Sequence, residues 1–395
     1  MANDILFDFE WFRKLLIDDL GPHWLKGAVT DSGLFHAPMD RHWNRISDGE
    51  GGLVSQSRLL FVFAEAYRQT GDERYIQAVK QGADYLMEHF RDREYGGYYL
   101  GCAPDGTITD DRKRSYGHVF VIFGLAHAYE VTGEQRFLQG AFDAGETIHT
   151  KFRDNHGGIC QMMTRDFVDQ DRHRNQNPVM HLTEALLTLA EISGEKKYLE
   201  MAREWIDFLF IPTFERKDIA LLEFYDFKWQ PLTDEDLADS EPGMIVIGHQ
   251  LEWAFLLSRA VEMGLPETYL EHAEFVLKSG LDIGFDTDYG GLMTGATKEG
   301  KLVKDNKGFW EQTETIRTLL NFVVRHERRD LEPVLDKAVE FFRRYQYDSE
   351  FGGIFPSLTR EGSVVQDNKG GLYKLDYHTI AMIQEVLRLE EIQKA

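Results

Sequence analysis

The stretch Thr70-Gly71-Asp72-Glu73-Arg74-Tyr75-Ile76 decides the fold, because its pattern returns along the chain. Similar stretches occur at 132–138 and 193–199, and a looser one at 264–270. Each copy lies between two apolar, helix-like segments. Glycine ends a helix well because it adopts the left-handed conformation without a Cβ clash, and acidic residues favour the first turn of the next helix. The repeating unit is therefore predicted to be a helical hairpin, and a period of about sixty residues indicates a repeat architecture.

A second pattern contains two consecutive glycines and runs out of phase with the first. Its copies are at 94–99, 155–159, 288–292 and 350–354. Turn-rich segments such as 103–107 and 359–363 follow, and they predict short β-hairpins between one helix pair and the next. Apolar periodicity predicts twelve helices, roughly at 8–20, 53–69, 73–90, 118–131, 135–153, 178–192, 196–210, 248–263, 267–280, 309–325, 331–346 and 374–391.

Twelve helices in six hairpins can form an open solenoid or a closed ring, and the end helices decide between the two. An open solenoid needs polar capping repeats at both ends. Here the first helix carries Phe9, Phe12 and Leu16, and the last carries Ile380 and Met382. We therefore expect the end repeats to bury each other in a closed (α/α)6 barrel, with the glycine–glycine loops at one mouth.

The composition indicates one large domain spanning residues 1–395. Of these residues 43% are hydrophobic, and a chain of this length can bury a large core. No low-complexity linker interrupts the chain, and the longest irregular stretch, 211–247, is predicted to be a functional loop. The N-terminal residues do not resemble a signal peptide, and no apolar run is long enough to span a membrane. With only Cys102 and Cys160 as cysteines, we expect a cytoplasmic protein with reduced thiols.

The formal net charge of −23 excludes some classes of partner. Nucleic-acid binding needs a basic surface, which this composition does not favour. The same charge gives no general attraction for phosphorylated sugars, so a neutral small molecule is the easier substrate. The sequence does not fix the oligomeric state, and a homodimer is one expectation.

Three short motifs contain the candidate chemistry. They are Asn177-Pro178-Val179-Met180-His181-Leu182-Thr183-Glu184-Ala185, Gly248-His249-Gln250-Leu251-Glu252-Trp253 and Lys374-Leu375-Asp376-Tyr377-His378. Each lies where a loop turns into the first helix of a hairpin, and those helices are expected to line the barrel with their starts at the same mouth. The three histidines would then converge on one cavity. A helix start also lowers the pKa of a histidine, which favours the neutral ring that can act as a base.

Glu252 follows His249 by three residues, so the two side chains share a helix face. A carboxylate beside an imidazole fixes its tautomer and raises its basicity, which predicts that Glu252 orients His249. A metal site is the rival interpretation of clustered histidines. Zinc sites usually offer two ligands close in sequence, as in His-Glu-x-x-His, and this chain has neither that spacing nor paired cysteines. We therefore predict no metal.

These residues resemble the N-acylglucosamine 2-epimerase family over nearly the whole chain and in the same order. The matching motifs are Ser57-Arg58-Leu59, Ser115-Tyr116-Gly117-His118, Asn177 with His181, His249 with Glu252, Phe309-Trp310 and Tyr377-His378. The resemblance implies an (α/α)6 barrel. It also implies an enzyme that moves a proton between C1 and C2 of a sugar through a cis-enediol, with no cofactor.

The resemblance also implies a role for each matching residue. His249 and His378 would be the general acid–base pair, with Glu252 orienting His249. His181 and Arg58 would bind the O1/O5 region of the sugar and polarise its carbonyl group. The remaining residues would bind hydroxyl groups or stack on the sugar ring; they are Tyr116, Asn177, Trp310 and Lys374.

The same residues would serve isomerisation and epimerisation, so the motifs leave the product open. A proton delivered to C1 gives the ketose, and a proton delivered to the opposite face of C2 gives the epimer. Cellobiose 2-epimerases carry tryptophan where this chain has Tyr373 and Phe309. This departure favours a monosaccharide, and D-mannose to D-fructose isomerisation is the preferred interpretation, with sugar 2-epimerisation as the alternative.

Two other classes of function stay open at this point. An inverting glycoside hydrolase uses paired carboxylates, and Asp226, Asp288 and Glu350 are acidic residues expected near the mouth. A non-catalytic helical scaffold would instead present an apolar or charged concave surface.

Overall fold

The computed structural model describes residues 7–46, 51–238 and 241–394. Its first helical stretch consists of α1 (Phe9–Lys14), a π-helical segment (Leu15–Leu20) and α2 (Gly21–Ala28). The later helices are α3 (Leu53–Thr70), α4 (Glu73–Tyr85), α5 (Ser115–Thr132), α6 (Gln135–Thr147), α7 (Asn177–Ser193), α8 (Lys196–Arg216), α9 (Ile247–Glu262), α10 (Tyr269–Gly284), α11 (Phe309–Arg325), α12 (Glu332–Phe341) and α13 (Tyr377–Lys394).

Helices α3, α5, α7, α9, α11 and α13 form an inner ring, and the others pack outside it. The inner helices are buried on nearly every side; residues 117–128 of α5 are all buried. The ring closes where α13 meets α3, and there Gln384 donates to Glu65 over 3.1 Å. Arg13 of the first helix also pairs with Glu390 of α13. The structure therefore confirms the predicted (α/α)6 barrel. None of the described helices is long and apolar enough to cross a membrane.

The recurring glycine of the first pattern ends an inner helix as predicted. Gly71, Gly133 and Gly194 have φ angles of 66°, 69° and 71°, in the left-handed region. Asp72 then caps the next helix, because its side chain accepts a hydrogen bond from the backbone N–H of Arg74. These turns join each inner helix to the outer helix that follows it.

Short antiparallel strands connect the other end of each hairpin. They are β1 (Gly51–Gly52), β2 (Gly101–Cys102), β3 (Ile108–Asp110), β4 (Lys113–Arg114), β5 (Met162–Met163), β6 (Arg174–Asn175), β7 (Phe224–Tyr225), β8 (Ile245–Val246), β9 (Gly295–Ala296), β10 (Leu302–Lys304), β11 (Lys307–Gly308), β12 (Ser357–Leu358) and β13 (Val364–Gln366). The sheets are β1-β2-β3, β4-β5, β6-β7, β8-β9-β10 and β11-β12-β13. A strand just before an inner helix pairs with the loop of the next repeat, so the loops form a ring at one mouth, as expected.

Buried ion pairs hold these loops against the starts of the inner helices. Asp286 accepts from Lys307, two residues before α11, and from Arg360 of the next loop. Both the Lys307 and the Asp286 side chains are fully buried. Burial alone would raise the pKa of Asp286, but the hydrogen bonds from Arg360 and Lys307 hold it well below its ordinary value.

Two of the predicted helix bounds were wrong in ways that matter for the site. α13 begins at Tyr377 and not at 374, so Lys374 belongs to the preceding loop. The Asp376 carboxylate is bound there by the indole N–H of Trp24. α5 begins at Ser115 and not at 118, which places Tyr116 in its first turn. The N-terminal residues on which the signal-peptide prediction rests lie outside the described residues.

We predict that Lys307→Met lowers the free energy of unfolding by on the order of 3 kcal/mol, because it leaves a buried carboxylate with one cation fewer. The matched control is Lys278→Met. Lys278 pairs with Asp282, and both side chains are mostly exposed, at 74% and 62%, so its loss should stay within about 0.5 kcal/mol. Chemical denaturation measures both values. Equal losses in the two variants would contradict the structural role of the buried pair.

Candidate active site

A cavity of about 390 Å³ lies at the mouth where the inner helices begin. It is lined by Arg58, Tyr116, Asn175, Asn177, His181, Glu223, Phe224, Glu241, Pro242, Val246, His249, Thr294, Phe309, Trp310, Glu311, Tyr373 and His378. Seven of the nine residues proposed from the sequence are therefore in one place. The exceptions are Glu252 and Lys374. The cavity lies at the first turns of the inner helices, because the loop ring aligns their starts.

Each of the three predicted histidines has a carboxylate at its Nδ1 atom. Glu223 lies 2.7 Å from Nδ1 of His249, and Glu314 lies 2.8 Å from Nδ1 of His378. Glu184 lies 3.2 Å from Nδ1 of His181. An ionised carboxylate only accepts, so this arrangement favours the tautomer in which Nδ1 carries the proton and Nε2 keeps a lone pair. Among the described residues none donates to these Nε2 atoms, which leaves three imidazole bases available to a ligand in the cavity.

The prediction that Glu252 orients His249 was wrong. Glu223 takes that position, and Gln176 steadies Glu223 by donating to the same carboxylate over 2.7 Å. His249 is in the first turn of α9 and meets the loop before the helix, whereas Glu252 is one turn deeper. There Glu252 lies 3.5 Å from Nδ1 of His181. The three-residue spacing correctly predicted that His249 and Glu252 share a face of α9, but Glu252 contacts His181 and not His249.

Glu252 is fully buried, and neither of its carboxyl oxygens has a hydrogen-bond partner among the described residues. Burial raises its pKa well above the ordinary value, and the nearby carboxylates of Glu314 and Glu184 raise it further. Both effects favour the neutral, protonated form of Glu252, which lies beside His181 and below the cavity. In its protonated form the Glu252 carboxyl group would be a proton donor at the floor of the site.

Burial and nearby cations also keep two of the histidines neutral. The pKa of His378 lies well below its ordinary value because of burial and because of the positive charge of Arg58. Burial lowers the pKa of His181, although its hydrogen bond to Glu184 opposes the shift. A neutral imidazole is the form that can remove a proton.

Arg58 is the cation at the cavity wall. Its guanidinium group lies 4.0 Å from the centre of the Phe120 ring and 4.6 Å from that of Tyr377. It donates to the Tyr116 hydroxyl over 2.7 Å and to the backbone carbonyl of Tyr373 over 3.2 Å. These contacts fix a planar, permanently charged donor where it can meet an oxygen of a ligand.

Trp310 lies between two of the histidines. Its ring centre is 5.0 Å from that of His249 and 5.6 Å from that of His378. Asn177 lines the same cavity, and its side-chain oxygen has no partner among the described residues. An aromatic face with polar groups at its edges suits a sugar, whose C–H faces are apolar and whose edges carry hydroxyl groups.

Lys374 does not line the cavity, contrary to the prediction that it binds substrate. Its ammonium group donates to the backbone carbonyl of Lys369 over 2.7 Å and lies 3.4 Å from Asp376. It is nearly buried, and burial lowers its pKa. Lys374 therefore holds the loop that contains Tyr373 and lies behind the cavity wall, 5.1 Å from the ring centre of Phe309.

The floor of the site also contains the donor types of a metal site. Two buried trios, His181–Glu184–Glu252 and Glu252–Glu314–His378, each have ligand atoms within 4.8 Å of one another. Arg317 lies 3.4 Å from Glu314 and 3.6 Å from Glu184, and the Tyr377 hydroxyl donates to Glu184. This arginine already supplies positive charge between the two carboxylates. Metal independence remains a prediction.

Several polar residues of the site were given no role from the sequence, and the four that contact the histidines or their carboxylates are Glu184, Glu223, Glu314 and Arg317. Glu184 follows His181 by three residues, so the spacing that drew attention to Glu252 also applied to it. Glu223 is 26 residues before His249 in an irregular loop, and Glu314 reaches His378 from a neighbouring helix. No local pattern predicts these two partners.

We predict that Glu252→Gln stabilises the protein more at pH 8 than at pH 5. A raised pKa means that the unfolded chain loses the Glu252 proton first as the pH rises, so the wild type loses stability until the folded pKa is passed. The neutral glutamine avoids that loss, which is about 1.4 kcal/mol for each pH unit that separates the folded pKa from the unfolded one. Denaturation at both pH values measures the difference, with the exposed Glu340→Gln as control. A constant difference would show that Glu252 is ionised in the folded state.

Comparison with known proteins agrees with this geometry. Residues 33–382 match the family described as N-acylglucosamine 2-epimerase (GlcNAc 2-epimerase). A D-mannose isomerase from Marinomonas mediterranea is 27% identical over 372 residues, covering 91% of this chain and 89% of that protein. A cellobiose 2-epimerase from Bacteroides fragilis is 26% identical over 393 residues, covering 95% and 97%. The crystal structure of a D-mannose isomerase superposes with a TM-score of 0.90 at 25% identity, covering 98% of this chain and all of that one. The chain therefore belongs to the N-acylglucosamine 2-epimerase family and is a sugar isomerase or epimerase.

Proposed function

We propose that this enzyme isomerises D-mannose to D-fructose through a cis-enediol intermediate. The observation that carries the proposal is the convergence of three carboxylate-held histidines with Arg58 on one small cavity. The substrate would be a neutral monosaccharide. The similarity to D-mannose isomerases in sequence and in fold supports this choice.

The chemistry begins with a proton that is only weakly acidic, the one on C2 next to the aldehyde. His249 and His378 are the proposed acid–base pair, and Trp310 between them would stack on the sugar. One imidazole Nε2 takes the C2 proton, and the electron pair moves onto O1, where Arg58 would donate a hydrogen bond. The Nε2 lone pair of His181 would take the O2 proton and return it to O1, and delivery of a proton to C1 then gives the ketose.

The carboxylates behind the histidines support each proton transfer. When a ring takes a proton at Nε2 it becomes an imidazolium, and Glu223 or Glu314 at Nδ1 stabilises that charge. Burial would raise the pKa of Glu184, but its hydrogen bonds with His181 and Tyr377 and the charge of Arg317 hold it below its ordinary value. Burial instead raises the pKa of Glu252 and favours its protonated form. His181 contacts both carboxyl groups, and we propose that it moves a proton between sugar oxygens.

A 2-epimerase is the second candidate, favoured by the similarity to cellobiose 2-epimerases. It would use the same residues, with the second histidine protonating the opposite face of C2. A glycoside hydrolase has less support. Asp226 accepts from backbone N–H groups of its own turn, and Asp288 and Glu350 pair with Arg360 and Arg41. None of these three carboxylates lines the cavity.

We predict that His249→Ala and His378→Ala each reduce turnover by about 10²–10⁴-fold without unfolding the protein, the usual effect of removing a positioned acid–base group. The two losses should not multiply in the double variant, because the residues act as one unit. Steady-state assays on D-mannose measure the effect, with the exposed loop residue His156→Ala as control. Near-normal turnover in either single variant would make that histidine a binding residue and would transfer its role to His181.

The reaction itself is tested by incubating the purified enzyme with D-mannose in D₂O after exhaustive treatment with EDTA. We expect D-fructose labelled with deuterium at C1. The label should be below one deuterium per molecule, because a base shielded from solvent carries part of the original proton from C2 to C1. Label at C2 of glucose would establish the epimerase instead. The His249→Ala/His378→Ala double variant is the control for background exchange. Activity lost to EDTA and restored by a divalent ion would overturn the metal-free assignment.

A further inference from the structure

We infer that Arg114 is a positioning residue that limits the substrate to a monosaccharide by holding the Tyr373 side chain across the mouth of the cavity. This inference rests on the proposed function, because it assumes that the cavity binds a sugar. Neither residue is part of the acid–base set. We call the linked side chains Arg114 and Tyr373 the strap.

Hydrogen bonds hold Tyr373 at its side chain and at its backbone. The Tyr373 hydroxyl accepts a hydrogen bond from Arg114 over 2.8 Å, and the Tyr373 backbone carbonyl accepts one from Arg58 over 3.2 Å. The Arg114 guanidinium also lies 5.3 Å from the ring centre of Tyr116 and 5.4 Å from that of Tyr373. Arg114 is therefore placed between two tyrosine rings that both line the cavity.

The position of the strap in the barrel shows why it narrows the entrance. Tyr373 is in the loop before α13, and Arg114 is the residue before α5. Helix α3 lies between α13 and α5 in the inner ring. A hydrogen bond from the α13 loop to the start of α5 must therefore pass over the start of α3. The side chain of Leu372 agrees with this course, because it lies next to Gly52 at the start of α3.

The loop that contains Tyr373 cannot swing away as a whole, because its base is fixed. Lys369 is buried in an ion pair with Asp348, and Gly370 pairs with the backbone of Met39. Lys374 closes the loop on the carbonyl of Lys369. At the tip of the loop, by contrast, Tyr373 is 55% exposed and is not held by burial. Its side-chain orientation therefore depends on the bond from Arg114.

The size of the cavity agrees with a monosaccharide limit. Its volume of about 390 Å³ is near the lower end of the range for small-molecule clefts. Glu241 and Pro242 line the wall contributed by the loop before α9. A sugar bearing a second ring would have to extend past the strap. Release of Tyr373 from Arg114 would free the ring to turn outwards and open that direction.

The test compares selectivity in Arg114→Ala and Tyr373→Phe with the wild type. The second variant removes only the hydroxyl group that Arg114 binds. The matched control is Arg112→Ala, because Arg112 is two residues away and pairs with Asp110 on the surface. For each protein, kcat/KM is measured on D-mannose and on cellobiose, a β-1,4-linked disaccharide. Binding of mannitol and cellobiitol, which cannot react, is measured by calorimetry.

We expect both strap variants to raise the cellobiose-to-mannose ratio of kcat/KM by about tenfold, the scale of one hydrogen bond to a charged group. The cellobiitol-to-mannitol ratio of affinities should change in the same direction, and Arg112→Ala should change neither. Unchanged or lowered ratios in proteins that turn over mannose would overturn the strap. So would a wild type that already accepts both sugars equally.

Failure of the proposed function has a different signature. It would appear as a wild type that neither turns over D-mannose nor binds mannitol. That result would overturn the inference about the strap as well. Conversion of mannose to glucose would overturn the isomerase reaction alone, since the selectivity ratio can still be measured on the epimerase.

Discussion

In three of the four glycine–glycine turns a buried carboxylate fixes the segment that leads into an inner helix, and the site depends on these contacts. Asp92, Asp286 and Asp348 accept from buried Lys113, Lys307 and Lys369. Each carboxylate also accepts from an arginine of another loop, Arg165, Arg360 or Arg41. Lys113 and Lys307 are two residues before α5 and α11. The ion pairs therefore align the first turns of these helices at one mouth, where Tyr116 and Trp310 line the cavity.

The interior charges below that mouth have no structural equivalent in an ordinary helical core. Arg58, Arg317 and three glutamates lie nearly or fully buried along the barrel axis. Ion pairs of this kind often add little stability compared with packed apolar residues, whereas shifted pKa values cluster at functional sites. The cluster and its burial raise the pKa of Glu252 and lower that of His378, which favours the neutral forms that the proposed proton transfers need. We therefore interpret the charged axis as serving catalysis.

The sequence predicted the repeats, the closed barrel and most of the cavity, because these features depend on local patterns. Glycine ends a helix wherever the chain needs a left-handed residue, and a histidine just after a loop lies at a helix start. The errors have a common physical origin. Spacing along the helix predicted the face of α9 on which Glu252 lies, but not how far below the cavity it lies. The predicted start of α13 was three residues too early, which wrongly placed Lys374 at a helix start in the site. The partners Glu223 and Glu314 are set by packing between elements, which one sequence does not record.

The proposed chemistry and the proposed selectivity involve different parts of this fold. The histidines and Arg58 are on the inner helices, where neighbours on both sides fix them. Tyr373, Glu241 and Pro242 are on loops, whose side chains can change without moving an imidazole. Relatives with isomerase and with epimerase names are about equally similar to this chain, which is expected if they share the inner helices and differ at the mouth. The choice of sugar, and the face on which the enediol is protonated, would then follow from how the loops hold the substrate against a common set of bases.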